Sequence, residues 1–387
     1  MQIPRNAAAL TQPDSSRGFG CPQRYIQGPG EFENIFLYAV EYGQTPLFLI
    51  DGGIFPMISA RIQAVRDKAS CRYETFPYSG ESCMEGVAEI ADQVRDLGCD
   101  LLIGVGGGKV LDTAKLVSDE LDLPRMVVPT AASSDAPAAD WAAIYTKEGV
   151  HLMGRRTRRS TELVLVDSEI IVHAPSRLFS AGIGDALATW YEARACERSR
   201  SHNCVARGYL PTRTALALSR ECYDILMREG IQALQDVKAH VVSPQVEDVI
   251  EANTLLSGLG FINGGLAAAH GLHSGFSEAH GGERSLHGEK VAFALLCQLV
   301  LEGAAEDELW KLMDFLYAAD LPLTLEQLDI QPTEENLRII ADKTCNRNSL
   351  IHHEPLAVDE DRIRQIVLEA NALGHHYLAD RQKEGVS

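Results

Sequence analysis

The sequence predicts an α/β N-terminal domain with a mainly parallel, Rossmann-like sheet, followed by an all-α C-terminal domain. Three observations carry this reading. Short apolar runs alternate with amphipathic stretches through the first half of the chain. One of those apolar runs leads straight into glycines. After Pro175 the strand-like runs stop and helical patterns take over. The 387 residues are too many for a single core and enough for two domains of ordinary size. The expected division is 1–175, with 1–20 a flexible tail, and 176–387.

Each element has its own signal. PLFLID (46–51) is rich in Leu, Ile and Phe, ends in Asp-Gly-Gly, and reads as a buried strand. CRYETF (71–76) is a second strand. ESCMEGVAEIADQVRDLG (81–98) carries Val87, Ile90, Ala91, Val94 and Leu97 at helical spacing. CDLLIGVGGG (99–108) is a third strand, VLDTAKLVSDEL a helix, and RMVVPT (125–130) a fourth strand. ELVLVD (162–167) closes the series. This βαβαβ rhythm implies a parallel sheet covered by helices, with ligands at the carboxyl ends of the strands. Farther on, Ser243-Pro244 reads as the cap and first turn of a helix containing Val246, Val249, Ile250 and Leu256.

Charge and cysteine usage narrow the function classes. The formal net charge is -19, which repels phosphate backbones and anionic lipid, so no nucleic acid or membrane partner is expected. No apolar run reaches the length of a membrane span. The first 18 residues lack the apolar core of a secretory signal. Nine cysteines, odd in number and without a Cys-x-x-Cys pair, indicate a reducing compartment and a cytoplasmic location.

GVGGGKVLDTAK (104–115) follows a strand and opens a helix. Gly106, Gly107 and Gly108 let backbone approach a diphosphate, and the helix N-terminus offers free N–H groups. Lys109 stands where the last glycine of G-x-G-x-x-G would fall, so this is neither the common dinucleotide fingerprint nor a Walker loop. A glycine turn with no ligand is the competing reading. Asp51, at a strand end, suits an adenosine ribose and would repel a 2′-phosphate, which selects NAD over NADP. Turn capping is its bland alternative.

The segment LAAAHGLHSGFSEAHGGERSLHGEKVAF (266–293) holds His270, His273, His280 and His287, four of the chain's 12 histidines. AGIGDALATWYEARA (181–195) places Asp185 in a small, apolar helix start, where a buried carboxylate needs a partner. A catalytic zinc takes three such ligands and keeps an open position. Spacing alone does not choose among the four histidines, and surface loop histidines remain the other reading.

GGGKVLDTAK, PTAASSDAP, GIGDALATWYEARAC, SGLGF…GGLAAAH and HGEKVAFALLCQLVLE together resemble the glycerol dehydrogenases, zinc-containing members of the iron-type alcohol dehydrogenase family. The similarity runs from about Tyr25 to beyond residue 370. It implies a dehydroquinate synthase-like architecture and a homo-oligomer. It implies that Asp185, His270 and His287 hold Zn²⁺, with His273 beside them and His280 in solvent. In the iron-dependent branch a ligand histidine follows the Asp by four residues; here that position is Thr189. The resemblance assigns NAD contacts to Asp51, Gly106, Gly107, Gly108, Lys109, Thr130, Ser133 and Tyr145. It assigns Asp135 and His270 to the substrate, a small polyol. The implied reaction is reversible oxidation of glycerol to dihydroxyacetone, with zinc polarising the alcohol and hydride passing to nicotinamide C4. Another vicinal diol or a hydroxycarboxylate is the alternative substrate, and a non-catalytic relative of the same fold is a third reading.

Two departures from the relatives stand out. Ala139 and Trp141 replace a Ser and a smaller aliphatic residue, so the indole is expected either to narrow the pocket or to pack in the core. GRRTRRS (154–160) replaces an aliphatic stretch, and is expected either to recognise an anion or a partner subunit, or to form a solvated hairpin turn.

Overall fold

The computed structural model describes residues 15–69, 71–206 and 208–384. Six strands form one sheet: β1 (Tyr25–Gly28), β2 (Pro46–Asp51), β3 (Glu74–Tyr78), β4 (Leu101–Gly106), β5 (Arg125–Pro129) and, after an intervening hairpin, β8 (Leu163–Asp167). Their order is β1-β8-β5-β4-β2-β3, and every pair is parallel. The hairpin is β6 (Trp141–Tyr145) with β7 (His151–Arg156), antiparallel. Helices α1 (Ile35–Ala39), α2 (Phe55–Val65), α3 (Met84–Leu97) and α4 (Gly108–Leu121) cover the sheet.

β2 shows why a parallel strand reads as a continuous apolar run. Its Phe48 and Ile50 pack with Phe36, Ile58 and Ile62 on one face. Leu47 and Leu49 pack with Val87, Ile90 and Val94 on the other. The chain goes from β2 outward to β3, then back across β2 to β4. The switch point therefore lies between the ends of β2 and β4, where Asp51 and Gly106 sit.

After β8 the chain is helical: α5 (Ser168–Val172), α6 (Ser176–Ser199), α7 (Arg213–Lys238), α8 (Pro244–Glu251), α9 (Ser257–Gly264), α10 (Ala268–Glu278), α11 (His287–Glu302), α12 (Glu306–Ala318), α13 (Glu334–Thr344) and α14 (Glu360–Glu384). Ser243 caps α8 as its sequence indicated, its Oγ accepting from Val246 N at 3.2 Å. A π turn over Ala252–Leu256 joins α8 to α9. Val127, Val164 and Val166 of the sheet share one core with Ile183, Leu187 and Leu226 of the helices. Among the described residues no single helix is long and apolar enough to cross a membrane.

Three expectations shift. The second strand begins at Glu74 rather than Cys71, because its partner β2 begins at Pro46 and Leu47 is the residue opposite Glu74. β1 and the β6–β7 hairpin carried no recognised signal. Of the expected tail, residues 1–14 lie outside the described residues, but residues 16–20 are docked: Leu210 N donates to Ser16 O at 3.0 Å, Asn203 Nδ2 to Gly18 O at 3.0 Å and Asn263 Nδ2 to Gly20 O at 2.9 Å.

Candidate metal and cofactor site

Three helices bring Asp185, His270 and His287 together. Asp185 Oδ1 lies 3.4 Å from His270 Nε2 and 3.2 Å from His287 Nε2. Gly288 permits this approach of α11 to α6, since a Cβ there would fall 1.7 Å from Ala181 O. Donor atoms about 2.0–2.1 Å from a tetrahedral centre stand roughly 3.3 Å apart, so the spacing suits a small divalent cation. The tautomers agree. His270 Nδ1 faces Glu192 Oε2 at 2.7 Å, where it donates to the carboxylate, which directs Nε2 at Asp185. His287 Nδ1 lies 2.9 Å from His273 Nε2, and donation there likewise directs His287 Nε2 at Asp185. Two imidazole nitrogens thus converge on one carboxylate oxygen, an arrangement that would suit a cation in place of the protons they share with it.

The electrostatics follow from burial and charge. Burial works against the Asp185 carboxylate, but His287 and His270 outweigh it and hold its pKa well below the usual range. Burial disfavours a charged His270, yet Glu192 and Asp185 hold its pKa well above the ordinary value. Burial, with His287 and Lys290 nearby, pushes His273 well down and keeps it neutral. His280 is 70% exposed, 3.6 Å from Glu335, and takes no part. Asp185 is fully buried and His287 is 41% exposed, so the group opens to solvent on the His287 side.

Glu192 escaped the sequence reading. It follows Asp185 by seven residues, two helical turns along one face of α6, and that spacing was the available signal. Its Oε1 accepts from Ala267 N at 2.8 Å and His270 N at 2.9 Å, capping α10. Glu354 Oε1 accepts from Ala268 N at 3.1 Å, and Gln298 Oε1 from Ala269 N at 3.0 Å. Three buried side chains therefore satisfy the open N–H groups of the helix that carries His270.

The segment Thr130–Asp135 links the glycine turn to Asp185. At one end Thr130 N donates to Gly106 O at 3.1 Å. At the other, Asp135 N donates to Asp185 Oδ2 at 3.4 Å. Gly182 lets the segment lie on α6, because a Cβ there would meet Ala132 O at 1.9 Å. Burial and the neighbouring Asp185 raise the Asp135 pKa well above the usual carboxylate range.

The other expected cofactor residues gather near the strand ends. Gly107 is the N-cap of α4 and Gly108 its first residue, with no side-chain cap and open space where their Cβ atoms would stand. A Cβ on Gly106 would fall 2.9 Å from the Asp51 Cβ, so glycine there holds β4 and β2 together at the switch point. One Asp51 oxygen accepts from Gly53 N at 2.9 Å, so turn capping is part of its role. The Lys109 ammonium is paired with Glu81. Ser133 is half-buried within the linking segment. Tyr145 ends β6, its ring edge-on to His151 at 5.3 Å, and burial raises its phenol to about 12.

The two departures find structural partners. The Trp141 indole covers Gly154 of β7, where an added Cβ would meet Nε1 at 2.0 Å, and it packs against the cluster of Ala139 and Phe261. The arginines form internal ion pairs: Arg155 with Asp119 at 3.1 Å, Arg158 with Asp119 at 3.3 Å, and Arg159 with Glu162 at 2.9 Å. Arg156 Nε donates to Asp140 Oδ2 at 3.0 Å. They fasten the hairpin to α4 and to the start of β8, while Arg158 stays 60% and Arg159 41% exposed.

The fold and this site define an α/β-plus-helical protein with a candidate metal site linked to a glycine turn at the sheet's switch point. Residues 22–168 match the family described as iron-containing alcohol dehydrogenase. A glycerol dehydrogenase of Pseudomonas putida is 38% identical over 363 residues, 94% of this chain and 99% of that protein. A glycolaldehyde reductase of Halobacterium salinarum is 37% identical over 357 residues, 92% of this chain and 97% of its own. The crystal structure of glycerol dehydrogenase from Schizosaccharomyces pombe superposes with a TM-score of 0.91 at 31% identity, covering 95% of this chain and 93% of that one. The chain belongs to the iron-containing alcohol dehydrogenase family.

Proposed function

We propose that the protein is an NAD-dependent dehydrogenase that reversibly oxidises glycerol to dihydroxyacetone. The observation that carries this reading is the convergence of Asp185, His270 and His287 beside a buried Asp135, joined by Thr130–Asp135 to the glycine turn. Zinc is the metal favoured by two imidazoles and one carboxylate at tetrahedral spacing. Thr189 supports it, because its hydroxyl is engaged by Ser257 at 2.8 Å and supplies no fourth ligand. When bound, the metal supplies Lewis-acid polarisation of a hydroxyl and NAD the acceptor carbon for hydride.

The chain's own residues do the positioning. Glu192 fixes the His270 ring so that Nε2 is presented. Asp135 accepts a hydrogen bond from a second substrate hydroxyl and so selects polyols. Solvent-facing His287 marks the side by which the alcohol proton leaves. The glycine turn and α4 N-terminus take the diphosphate, and Asp51 takes the ribose, with NAD preferred to NADP. In this reading the chain divides near residue 175 into a cofactor-binding and a metal-binding domain. Nine unpaired cysteines support a reducing, cytoplasmic setting. Exposed Leu152 and Met153 on β7 support self-association into a homo-oligomer.

The similarity to a glycolaldehyde reductase favours one second reading: the same site reducing an α-hydroxy aldehyde. A hydroxycarboxylate fits less well, since the arginines that would attract it are paired internally. The test is absorbance of reduced nicotinamide with glycerol and NAD, with metal analysis, before and after chelation. Activity lost on chelation and restored by zinc supports the proposal; undiminished activity in metal-free protein overturns it.

A further inference from the structure

Asp135 is backed by a buried chain of hydroxyls that the reaction as described does not use. Ser257, fully buried at the start of α9, donates from Oγ to Asp135 Oδ2 at 3.1 Å. Ser257 Oγ also lies 2.8 Å from Thr189 Oγ1 of α6, which is 1% exposed. A serine hydroxyl has one proton. Because that proton goes to Asp135, the contact with Thr189 is donated by Thr189. Both hydroxyls therefore point their protons toward the carboxylate.

The backbone around this chain is arranged for it. The π turn at Ala252–Leu256 adds a residue to the helical path just before Ser257. Asn253 and Ser257 then both reach the linking segment, Asn253 Nδ2 donating to Ala132 O at 3.1 Å. Gly258 keeps the distance short, since a Cβ there would fall 2.8 Å from Asp135 O. Three features of one short stretch thus clamp the segment that ends in Asp135.

We infer that Thr189 and Ser257 are positioning residues that fix the Asp135 carboxylate for a substrate hydroxyl other than the one oxidised. With Oδ2 held by Ser257, Oδ1 is the oxygen offered to the substrate. Together they make the enzyme selective for polyols over alcohols with a single hydroxyl. The inference rests on the proposed dehydrogenase activity and deepens it. Neither residue touches the reacting atoms.

The test compares Thr189→Val, Ser257→Ala and Thr189→Ser with the parent enzyme, on glycerol and on propan-2-ol. Loss of the Ser257 bond to Asp135 predicts a fall of roughly 3–10-fold in kcat/KM for glycerol in Ser257→Ala, and loss of the Thr189 bond that orients Ser257 a fall of that size or smaller in Thr189→Val. The fall is expected mainly in KM, with propan-2-ol turnover and zinc content unchanged. Glycerol should also raise the melting temperature of these variants less than that of the parent. Thr189→Ser keeps the hydroxyl and should restore the parent ratio. Equal losses on both substrates, or an unchanged ratio, overturn the inference. If Thr189→Val does not fold, Ser257→Ala decides. A parent enzyme with no glycerol-dependent reduction of NAD overturns the proposed function itself, and the inference with it, which separates the two failures.

Discussion

His270 and His280 lie in one short segment but have opposite prospects. His270→Ala removes one of three converging donors, and should abolish metal binding and activity together. His280→Ala, at a side chain 70% exposed, should leave metal content and rate unchanged. An active, metal-replete His270→Ala protein would refute the ligand set. Glu192→Gln keeps the shape but weakens the hold on His270 Nδ1, so metal affinity should drop roughly 10–100-fold in a protein that still folds. Trp141, which had two readings from sequence, now has a packing role over Gly154 and beside Phe261. Trp141→Leu should cost about 1–3 kcal/mol of stability, read from denaturant midpoints, with substrate ratios unaltered.

At the scale of elements, two helix contacts invite direct tests. Gly288→Ala puts a Cβ 1.7 Å from Ala181 O, so α11 must move away from α6 and carry His287 with it. Expected are a lower melting temperature and weaker metal binding in the same variant. Normal metal affinity would show that the crossing does not set the site. The N-terminus of α10 depends on Glu354, whose pKa burial and the nearby Glu302 push up to about 8. A raised carboxyl pKa means that the folded state holds a proton the unfolded chain has lost. Its contribution is therefore complete below about pH 4.5 and declines as pH rises toward 8. Glu354→Gln should flatten the fall of melting temperature with pH across that window. An unchanged slope would mean that other groups govern it.

These elements also mark what could be read in advance. β2 and β4 were legible because both faces are buried and their apolar runs are continuous. β1 is four half-buried residues, too short to stand out, and β6, though the apolar run WAAIY, pairs only with the largely exposed β7 outside the main sheet. The candidate ligands were visible as residue types in an odd setting, but their selection from four histidines came from resemblance. The capping of α10 was not legible, since Glu192, Gln298 and Glu354 meet only after distant helices pack. The π turn likewise has no local marker in ANTLL.

For the whole molecule, the shared core of sheet and helices is the governing feature. Val127, Val164 and Val166 are buried against helices that also carry Asp185, His270 and His287. Calorimetry should therefore record a single unfolding transition. Added zinc should move it upward as a whole, by the mass-action amount for binding to the folded state. Two separate transitions, with only one shifted by metal, would show that the halves melt independently despite their common interior.

The short tether from Thr130 to Asp135 has a consequence for how this enzyme can change over generations. One end is pinned to the glycine turn and the other to Asp185. A mutation that slides the tether to suit a new substrate also disturbs the glycine-turn end, proposed to hold the cofactor, and the reverse holds. Preference for alcohol and preference for cofactor should thus be inherited as a linked pair. Substitutions at Thr130 and Asp135, combined in a double-mutant cycle, should show non-additive effects on kcat/KM. Strict additivity would show that the two ends are free to evolve apart.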